Sequence, residues 1–214
     1  MIFVQYSQNL ITDIVHKGNS LKESEKFIMN NLLLGVTGSV GVISIPYYIK
    51  MLRDEIAKNV VVIMSHSAKK FITPYTLRLF SGNYVYTDVF DETNDSLVPH
   101  IHLVRKSDLF LIMPATANII GKLANGIADD LISSTAIASP VPVGVVPSMN
   151  SVMWNSKAMQ KNLSSLENMG YYVLQPDEGI CVADMEPTMG CMPEFSVVAD
   201  FIRNIILSRH QTLR

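Results

Sequence analysis

The sequence predicts an α/β fold, with a doubly wound parallel sheet in a single domain. Three runs of apolar residues, at 32–36, 60–64 and 109–113, fit strands that are buried on both faces. Stretches of helical periodicity alternate with these runs, as in parallel βαβ units. At 214 residues, with 48% hydrophobic and 17% charged residues, the chain is long enough for one full core and does not require a second domain.

Residues 1–30 are predicted to form an N-terminal extension, which precedes a main domain over 31–214. A short helical pattern in the extension is interrupted by Gly18-Asn19-Ser20. Two interpretations remain open for it, an arm that packs on a neighbouring subunit and a mobile extension.

The first βα unit contains a candidate phosphate site. The strand at 32–36 leads into a turn of small residues from Thr37 to Gly41, and a helix is predicted over 42–58 with Pro46 close to its start. Such a turn presents backbone N–H groups to an anion, and the hydroxyls of Thr37 and Ser39 add donors. The motif is neither a Walker loop nor a complete dinucleotide fingerprint, so a tight turn without a ligand is the alternative.

The second unit repeats this arrangement with a strand at 60–64, the loop Ser65-His66-Ser67 and a helix over 69–80. Ser65 and Ser67 are placed to offer further hydroxyls to a phosphate, although Ser67 also fits the role of a helix cap. Residues 81–96 are predicted to be a surface connection, and 97–107 a helix.

The third strand, at 109–113, ends in Pro114-Ala115-Thr116-Ala117-Asn118. In open α/β sheets, ligands bind outside the carboxyl ends of the strands, so this loop is a candidate site. Pro142 suggests that the strand containing it begins at a sheet margin. The remaining elements are predicted as helical pieces over 119–124 and 129–138, a strand over 141–146, a helix over 156–169, a strand over 171–174, a loop over 175–193 and a helix over 195–208.

Composition argues against several classes of function. The net charge is −2 and the Lys and Arg residues are scattered, which predicts no nucleic-acid partner. No signal peptide and no apolar run of roughly 18 residues is present, so we expect a cytoplasmic protein without a membrane partner. Cys181 and Cys191 lack the spacing of metal ligands, so no metal is expected.

An ordered set of motifs within residues 32–194 resembles the flavin-dependent cysteine decarboxylases. This family includes phosphopantothenoylcysteine decarboxylases and the peptidyl-cysteine decarboxylases of lantibiotic biosynthesis. The motifs are Thr37-Gly38-Ser39, Phe71-Ile72-Thr73-Pro74, His100, Pro114-Ala115-Thr116-Ala117-Asn118, Leu123-Ala124-Asn125-Gly126-Ile127-Ala128-Asp129-Asp130, Pro147-Ser148-Met149-Asn150 and Met153-Trp154.

The resemblance implies a Rossmann-like flavoprotein that binds FMN, with FAD as the alternative. It also implies a homotrimer, or a dodecamer built from trimers, with the flavin between subunits. The residues placed at the flavin are Thr37, Gly38, Ser39, Ser65, Ser67, Ala115, Thr116, Asn118 and Met149, and those placed at the substrate are Asn150, Met153 and Met192. Asn118 also fits a helix cap, and methionines near a core often fill gaps in packing.

The chemistry implied is oxidation of a cysteine to a thioaldehyde, which lets the neighbouring carboxylate leave as CO₂ and yields an enethiol. The flavin takes the two electrons, while the protein supplies orientation and proton handling. His100 matches the catalytic base of the family, and Asn150 matches the residue that binds the substrate carboxylate. The alternatives are a buried, hydrogen-bonded histidine and an ordinary turn asparagine.

The loop near the carboxyl terminus bears on the substrate. If Gly190-Cys191-Met192 is matched to the Gly-Arg-Met of the pantetheine enzymes, Asp184 takes the position of their redox cysteine, and Cys181 lies three residues away. The reaction should then stop at the enethiol, on the C-terminal cysteine of a ribosomal precursor peptide. The alternatives are phosphopantothenoylcysteine in coenzyme A biosynthesis and a noncatalytic flavin-binding regulatory subunit.

Overall fold

The computed structural model describes residues 27–90, 98–180 and 186–212. Its main sheet has six parallel strands in the order β3-β2-β1-β4-β5-β6, which confirms the predicted α/β fold. The strands are β1 (Met29–Val36), β2 (Ala57–Met64), β3 (Val85–Tyr86), β4 (Leu109–Ala115), β5 (Val143–Pro147) and β6 (Tyr172–Val173).

Helices connect the strands and cover both faces of the sheet. They are α1 (Ile45–Glu55), α2 (Pro74–Ser81), α3 (Pro99–Arg105), α4 (Ala117–Ala124), α5 (Leu131–Ile137), α6 (Ser151–Trp154), α7 (Lys157–Asn168) and α8 (Phe195–Thr212). Two 3-10 helices, Val40–Ser44 and Ala68–Lys70, precede α1 and α2. None of the helices in the described part of the chain has the length and apolarity needed to cross a membrane.

Successive strand residues enter two separate cores, because side chains alternate across a sheet. Leu32 and Leu34 pack with α1, α2 and α8, whereas Leu33 packs with α3, α4, α5 and α7. Strand β4 is buried along its whole length. A sheet covered in this way on both faces requires the continuous apolar strands seen in the sequence.

The sequence interpretation was wrong at two connections. The predicted helix over 42–58 ends at Glu55, and β2 already begins at Ala57, because Ala57 pairs with Met29 of β1. The predicted surface connection contains β3, whose two residues extend the edge of the sheet beside β2.

Two further boundaries differ from the prediction. The segment predicted as a loop over 175–193 contains an antiparallel hairpin of β7 (Asp177–Ile180) and β8 (Pro187–Cys191). Pro142 lies one residue before β5 rather than inside it, so its missing N–H does not interrupt the strand. Strand β5 pairs with β4 on one side and β6 on the other.

The amino end of β1 is fixed by Asp108, which precedes β4. Its carboxylate accepts hydrogen bonds from the backbone N–H groups of Asn30 and Asn31, at 2.9 and 2.8 Å. Strand β1 therefore begins inside the predicted extension over 1–30, of which residues 1–26 lie outside the described residues. The bonds align β1 with β4 and bring their carboxyl ends to the same edge.

Candidate active site

A cleft of about 570 Å³ lies outside the carboxyl ends of β1, β2, β4 and β5. Its volume is in the range of roughly 300–1,000 Å³ that is usual for small-molecule sites. The cleft is lined by Thr37, Gly38, Ser39, Val40, Ser65, His66, Ser67, Phe71, Thr116, Ala117, Asn118, Ile119, Lys122, Asp130, Ser148, Met149 and Met153. Nine of the predicted cofactor and substrate residues are among them.

Gly38 allows the turns after β1 and β2 to touch. A Cβ atom at this position would lie 2.5 Å from the Cβ of Ser67 and 2.9 Å from its carbonyl carbon. No real side chain tolerates such distances, so the contact requires glycine. It places Ser39 and Ser67 on the same wall of the cleft.

The hydroxyl of Thr37 is already engaged within the protein. It donates to the carbonyl oxygen of Pro114 at 2.6 Å and accepts from the backbone N–H of Thr116 at 2.9 Å. Thr37 is only 3% exposed, so the two bonds tie the turn after β1 to the loop after β4. These two bonds leave the other hydroxyls of the predicted phosphate site untouched, namely those of Ser39, Ser65 and Ser67.

The start of the first helix also differs from the expectation. The turn after β1 enters a 3-10 helix, in which the N–H groups of Ser39 and Val42 bond to Thr37 and Ser39 carbonyls. Helix α1 begins only at Ile45, and Pro46 occupies its first turn. Fewer free N–H groups therefore face the cleft than a regular helix beginning at residue 42 would offer.

In the second turn, Ser67 occupies the N-cap position of the 3-10 helix, but Ser65 makes the hydrogen bond to its first residue. The Ser65 hydroxyl accepts from the N–H of Ala68 at 3.2 Å, whereas the Ser67 side chain makes no capping bond. Ser67 is exposed at the cleft, where its hydroxyl is available to a ligand.

The loop after β4 contributes an N-cap and an exposed amide. Thr116 caps α4 by accepting from the N–H of Ile119, and Asn118 lies exposed in the first turn of this helix. Ala115 is fully buried and does not line the cleft, although its carbonyl accepts from the N–H of Ser148 at 3.0 Å. Its part in the site is therefore to join the loops after β4 and β5.

Asn150 follows β5 and begins helix α6. Its side-chain oxygen accepts from the N–H of Met153 at 2.8 Å, so the amide nitrogen is the end left to donate to a ligand. Asn150 is exposed and does not itself line the cleft, but Met149 before it and Met153 after it both do. An exposed amide donor beside an apolar wall suits a carboxylate on an otherwise apolar group.

One cation contributes to the cleft, and two carboxylates neutralise it. The Lys122 ammonium lies 2.6 Å from Asp129 and 2.7 Å from Asp130. Burial favours a lower pKa for Lys122, but these two bonds outweigh it and raise the pKa. Burial likewise favours a higher pKa for Asp130, but its bonds to Lys122 and Ser133 lower the pKa. Both groups are therefore charged at neutral pH.

His100 does not line the cleft that contains Met149 and Met153. It lies near the start of α3, and its Nδ1 atom is buried without a hydrogen-bond partner among the described residues. The alternative of a histidine satisfied by internal hydrogen bonds does not account for this nitrogen. Within one chain, His100 and Asn150 therefore belong to different elements: His100 to α3, and Asn150 to the start of α6.

Met192 lies close to the turn after β1 rather than in the lining of the cleft. A Cβ atom at Gly41 would be 3.8 Å from the Cβ of Met192 and 3.2 Å from the Ser148 hydroxyl. Cys191 is half-buried in β8. Cys181 and Asp184, on which the prediction of an enethiol product depends, lie outside the described residues.

Eight other residues of the cleft were not predicted as cofactor or substrate residues, although Phe71, Ala117, Asp130 and Ser148 stand in the family motifs. The polar ones are His66, Lys122, Asp130 and Ser148, and the apolar ones are Val40, Phe71, Ala117 and Ile119. Ser148 and His66 could have been found, since each follows a predicted strand. Lys122 gave no local signal, because its partners are seven and eight residues away.

The cleft lies at the topological switch point of the sheet, between β1 and β4, from which the chain runs outward in both directions. With both hydroxyls and thioethers in its lining, it is typical of an α/β protein that binds a nucleotide-type cofactor. A family profile described as Flavoprotein matches residues 19–207, and the chain belongs to this family. The predicted flavoprotein is thus confirmed.

One curated relative is named for coenzyme A biosynthesis, and another is named as a phosphopantothenoylcysteine decarboxylase. The bifunctional protein CoaBC of Bacillus subtilis strain 168 is 42% identical over 152 residues, which cover 70% of this chain and 36% of that protein. The chain thus spans about a third of the length of that relative. A probable phosphopantothenoylcysteine decarboxylase of Streptococcus mutans is 37% identical over 154 residues, covering 70% of this chain and 84% of that protein.

A solved structure supports the same family. The peptidyl-cysteine decarboxylase EpiD superposes with a TM-score of 0.72 at 32% identity, covering 82% of this chain and 99% of EpiD. The predicted enzyme class agrees with the two relatives whose names state a decarboxylase. These comparisons do not distinguish the lantibiotic branch, because the two sequence relatives are named for coenzyme A biosynthesis and for phosphopantothenoylcysteine, whereas the structure is named for peptidyl-cysteine.

Proposed function

We propose that this protein is an FMN-dependent decarboxylase of an amide-linked C-terminal cysteine. The observation that carries the proposal is the position of Asn150, an exposed amide donor in the chain between Met149 and Met153, both of which line a cleft of about 570 Å³. Membership of the flavoprotein family and the cysteine decarboxylases among its relatives support this assignment.

The residues of the cleft fit a flavin mononucleotide. Hydroxyls for a phosphate come from Ser39, Ser65 and Ser67. Gly38 keeps the turn after β1, which contains Ser39, in contact with the turn after β2, which contains the other two serines. Met149 and Phe71 offer soft apolar surfaces for a flat ring. A bound flavin would supply an acceptor for the two electrons that leave the cysteine. FAD remains the alternative cofactor.

The polar groups of the protein then act on the substrate. The amide nitrogen of Asn150 holds the carboxylate without a fixed positive charge, which would oppose its departure as CO₂. The imidazole of His100 accepts a proton from the substrate. Since His100 lies outside the cleft of its own chain, we propose that a second copy supplies it, in a trimer or a dodecamer built from trimers.

Two substrates of this class are supported by different observations. The curated relatives favour phosphopantothenoylcysteine, which was the alternative in the sequence analysis. A C-terminal cysteinyl peptide is favoured by the likeness to EpiD and by Cys191, which stands where the pantetheine enzymes carry a basic residue. A neutral residue there offers no charge to a phosphorylated substrate.

The test incubates the FMN-loaded protein with phosphopantothenoylcysteine and, separately, with a peptide that ends in cysteine. Loss of CO₂ and two hydrogens from either, seen by mass spectrometry, supports decarboxylation to an enethiol. Loss of CO₂ alone indicates that the enethiol is reduced further to a saturated thiol. No turnover of either substrate by protein that binds flavin overturns the enzyme proposal and favours a regulatory flavin-binding subunit.

A further inference from the structure

The hairpin of β7 and β8 touches the Asn150 loop through Gly190. This glycine has φ +127°, a backbone conformation that side chains rarely adopt. A Cβ atom on Gly190 would lie 2.2 Å from the carbonyl oxygen of Met149 and 3.4 Å from the carbonyl carbon of Asn150. The two backbones are therefore too close to admit any side chain between them.

This close approach is also a hydrogen bond. The backbone N–H of Met149 donates to the carbonyl oxygen of Gly190 at 2.9 Å. The next peptide along the chain leads to Asn150, whose side chain is fixed from the other direction by the N–H of Met153. The position of the Asn150 amide is thus set between β8 and the first turn of α6.

The segment that directly follows β8 is itself held in place. The hydroxyl of Tyr48, on α1, donates to the carbonyl oxygen of Pro193 at 2.6 Å, and the tyrosine is only 7% exposed. The ring of Tyr48 also makes an edge contact with Phe195, with centroids 6.1 Å apart. The chain that follows β8 is therefore fixed to α1 by the contacts of Tyr48 with Pro193 and Phe195.

We infer that Gly190 is a positioning residue for Asn150. Without a side chain, it lets β8 bind the backbone of Met149, and through that bond it sets the place of the carboxylate-binding amide. The inference rests on the proposed function for Asn150, but it concerns a residue of β8, outside the loop that contains Asn150. A larger residue there displaces the amide while leaving the amide itself intact.

The experiment compares Gly190→Ala with Gly170→Ala. Gly170 also has a positive φ, of +88°, but a Cβ atom there meets nothing within 4 Å, so this control adds backbone strain without a contact. The probe is a substrate analogue with serine in place of the cysteine, which keeps the carboxylate but does not react. Its binding to the FMN-loaded protein is measured by calorimetry, and exchange of the Met149 amide hydrogen is measured by NMR.

We expect Gly190→Ala to weaken binding of the seryl analogue by about tenfold or more, since loss of a hydrogen bond to a charged group typically lowers affinity by this much. The Met149 amide hydrogen should exchange faster, and Gly170→Ala should change neither quantity. In an Asn150→Ala background, Gly190→Ala should have no further effect on binding, because the two residues act as one unit.

Three results overturn the inference. These are unchanged analogue binding in Gly190→Ala, an equal loss in Gly170→Ala, and an undiminished loss in the Asn150→Ala background. If Gly190→Ala does not fold, Tyr48→Phe takes its place in the same cycle, since it frees the end of β8 by removing one hydroxyl. A wild-type protein that converts no cysteinyl substrate refutes the proposed function instead, whatever the variants show.

Discussion

The hydroxyl oxygens of Ser39 and Ser148 lie 2.8 Å apart, although 109 residues separate them in the chain. Ser39 belongs to the turn after β1, where we place the phosphate of the cofactor. Ser148 is 8% exposed and lies two residues before Asn150. This bond therefore links the proposed cofactor wall directly to the loop that holds the substrate amide.

Replacement of Ser148 by alanine tests this link. Loss of a hydrogen bond typically costs about 0.5–1.5 kcal/mol, so we expect the stability to fall by that amount and the affinity for FMN to fall by up to about tenfold. Ser107→Ala is the matched control, because Ser107 is also 8% exposed and donates a bond of 2.8 Å to Leu103. Urea denaturation and flavin fluorescence titration measure the two effects, and equal FMN affinities in both variants would contradict the link.

Gly38→Ala should separate the turns after β1 and β2. The added Cβ would meet Ser67 at 2.5 Å, and overpacking of this kind typically costs about 1–3 kcal/mol. We expect folded protein that copurifies with little flavin, as judged by its visible absorbance. Gly121→Ala serves as the control, since its Cβ would lie 3.7 Å from Asn162 and clash with nothing. Normal flavin content in Gly38→Ala would refute the contact as a requirement.

Thr37→Val separates a structural hydroxyl from a ligand-binding one. Valine keeps the shape but leaves the Thr116 N–H without its partner, and an unsatisfied buried group costs about 1–3 kcal/mol. Thr37→Ser retains the hydroxyl and should retain most of the stability. If Thr37→Val unfolds at the same denaturant concentration as the wild type, the two bonds of this hydroxyl do not support the fold.

The strands that could be predicted are those buried on both faces. β1, β2 and β4 appear as apolar runs because the doubly wound sheet gives them no polar side. β3 has only two residues, too few for any periodicity, and it exists because β2 offers a free edge. The hairpin of β7 and β8 was missed because its strands, of four and five residues, lack an alternating apolar pattern.

The site divides in the same way. Residues in the loops after predicted strands, such as Ser65 and Asn118, were predicted because parallel strands bring their ends together. The match of His100 to the family's catalytic base predicted a role for it but not its position relative to the cleft. The structure places this residue outside the lining of the cleft of its own chain. The approach of Gly190 to Met149 is a long-range backbone contact, which no local pattern encodes.

The proposal that two copies share a site predicts complementation between inactive variants. His100→Asn should bind FMN yet lose decarboxylation, and Asn150→Asp should also be inactive. When the two are unfolded together and refolded at equal amounts, a cyclic assembly should recover about one quarter of the sites, since each needs one intact residue from either copy. Activity is measured by CO₂ release from the cysteinyl substrate.

The control for complementation is each variant refolded alone, which should give no recovery. Mixing without unfolding should also give none unless subunits exchange. If His100→Asn alone keeps full turnover, His100 has no part in the mechanism. If the mixture stays inactive while each variant binds FMN, then both residues act within one chain, and the assembly proposal is wrong.

The ion pair between Asp130 and Lys122 predicts that the free energy of unfolding depends on pH in the acidic range. Because the folded pKa of Asp130 is lowered from its ordinary value of 3.8, the unfolded chain binds the proton more readily than the native protein does. The stabilisation is therefore fully present above about pH 4 and is lost as the pH falls through the folded pKa. Asp130→Asn should give a shallower fall of the unfolding free energy below pH 4 than the wild type, measured by urea denaturation at a series of pH values.

Asp200→Asn provides the matched change in charge for this comparison. Asp200 also pairs with a cation, Arg203 at 2.7 Å, but its side chain is 72% exposed, and exposed pairs contribute little to stability. We expect its acid profile to follow the wild type, whereas Asp130→Asn departs from it. The same slope in all three proteins would show that Asp130 keeps an ordinary affinity for protons, and the ion pair beside the cleft would then have no part in acid stability.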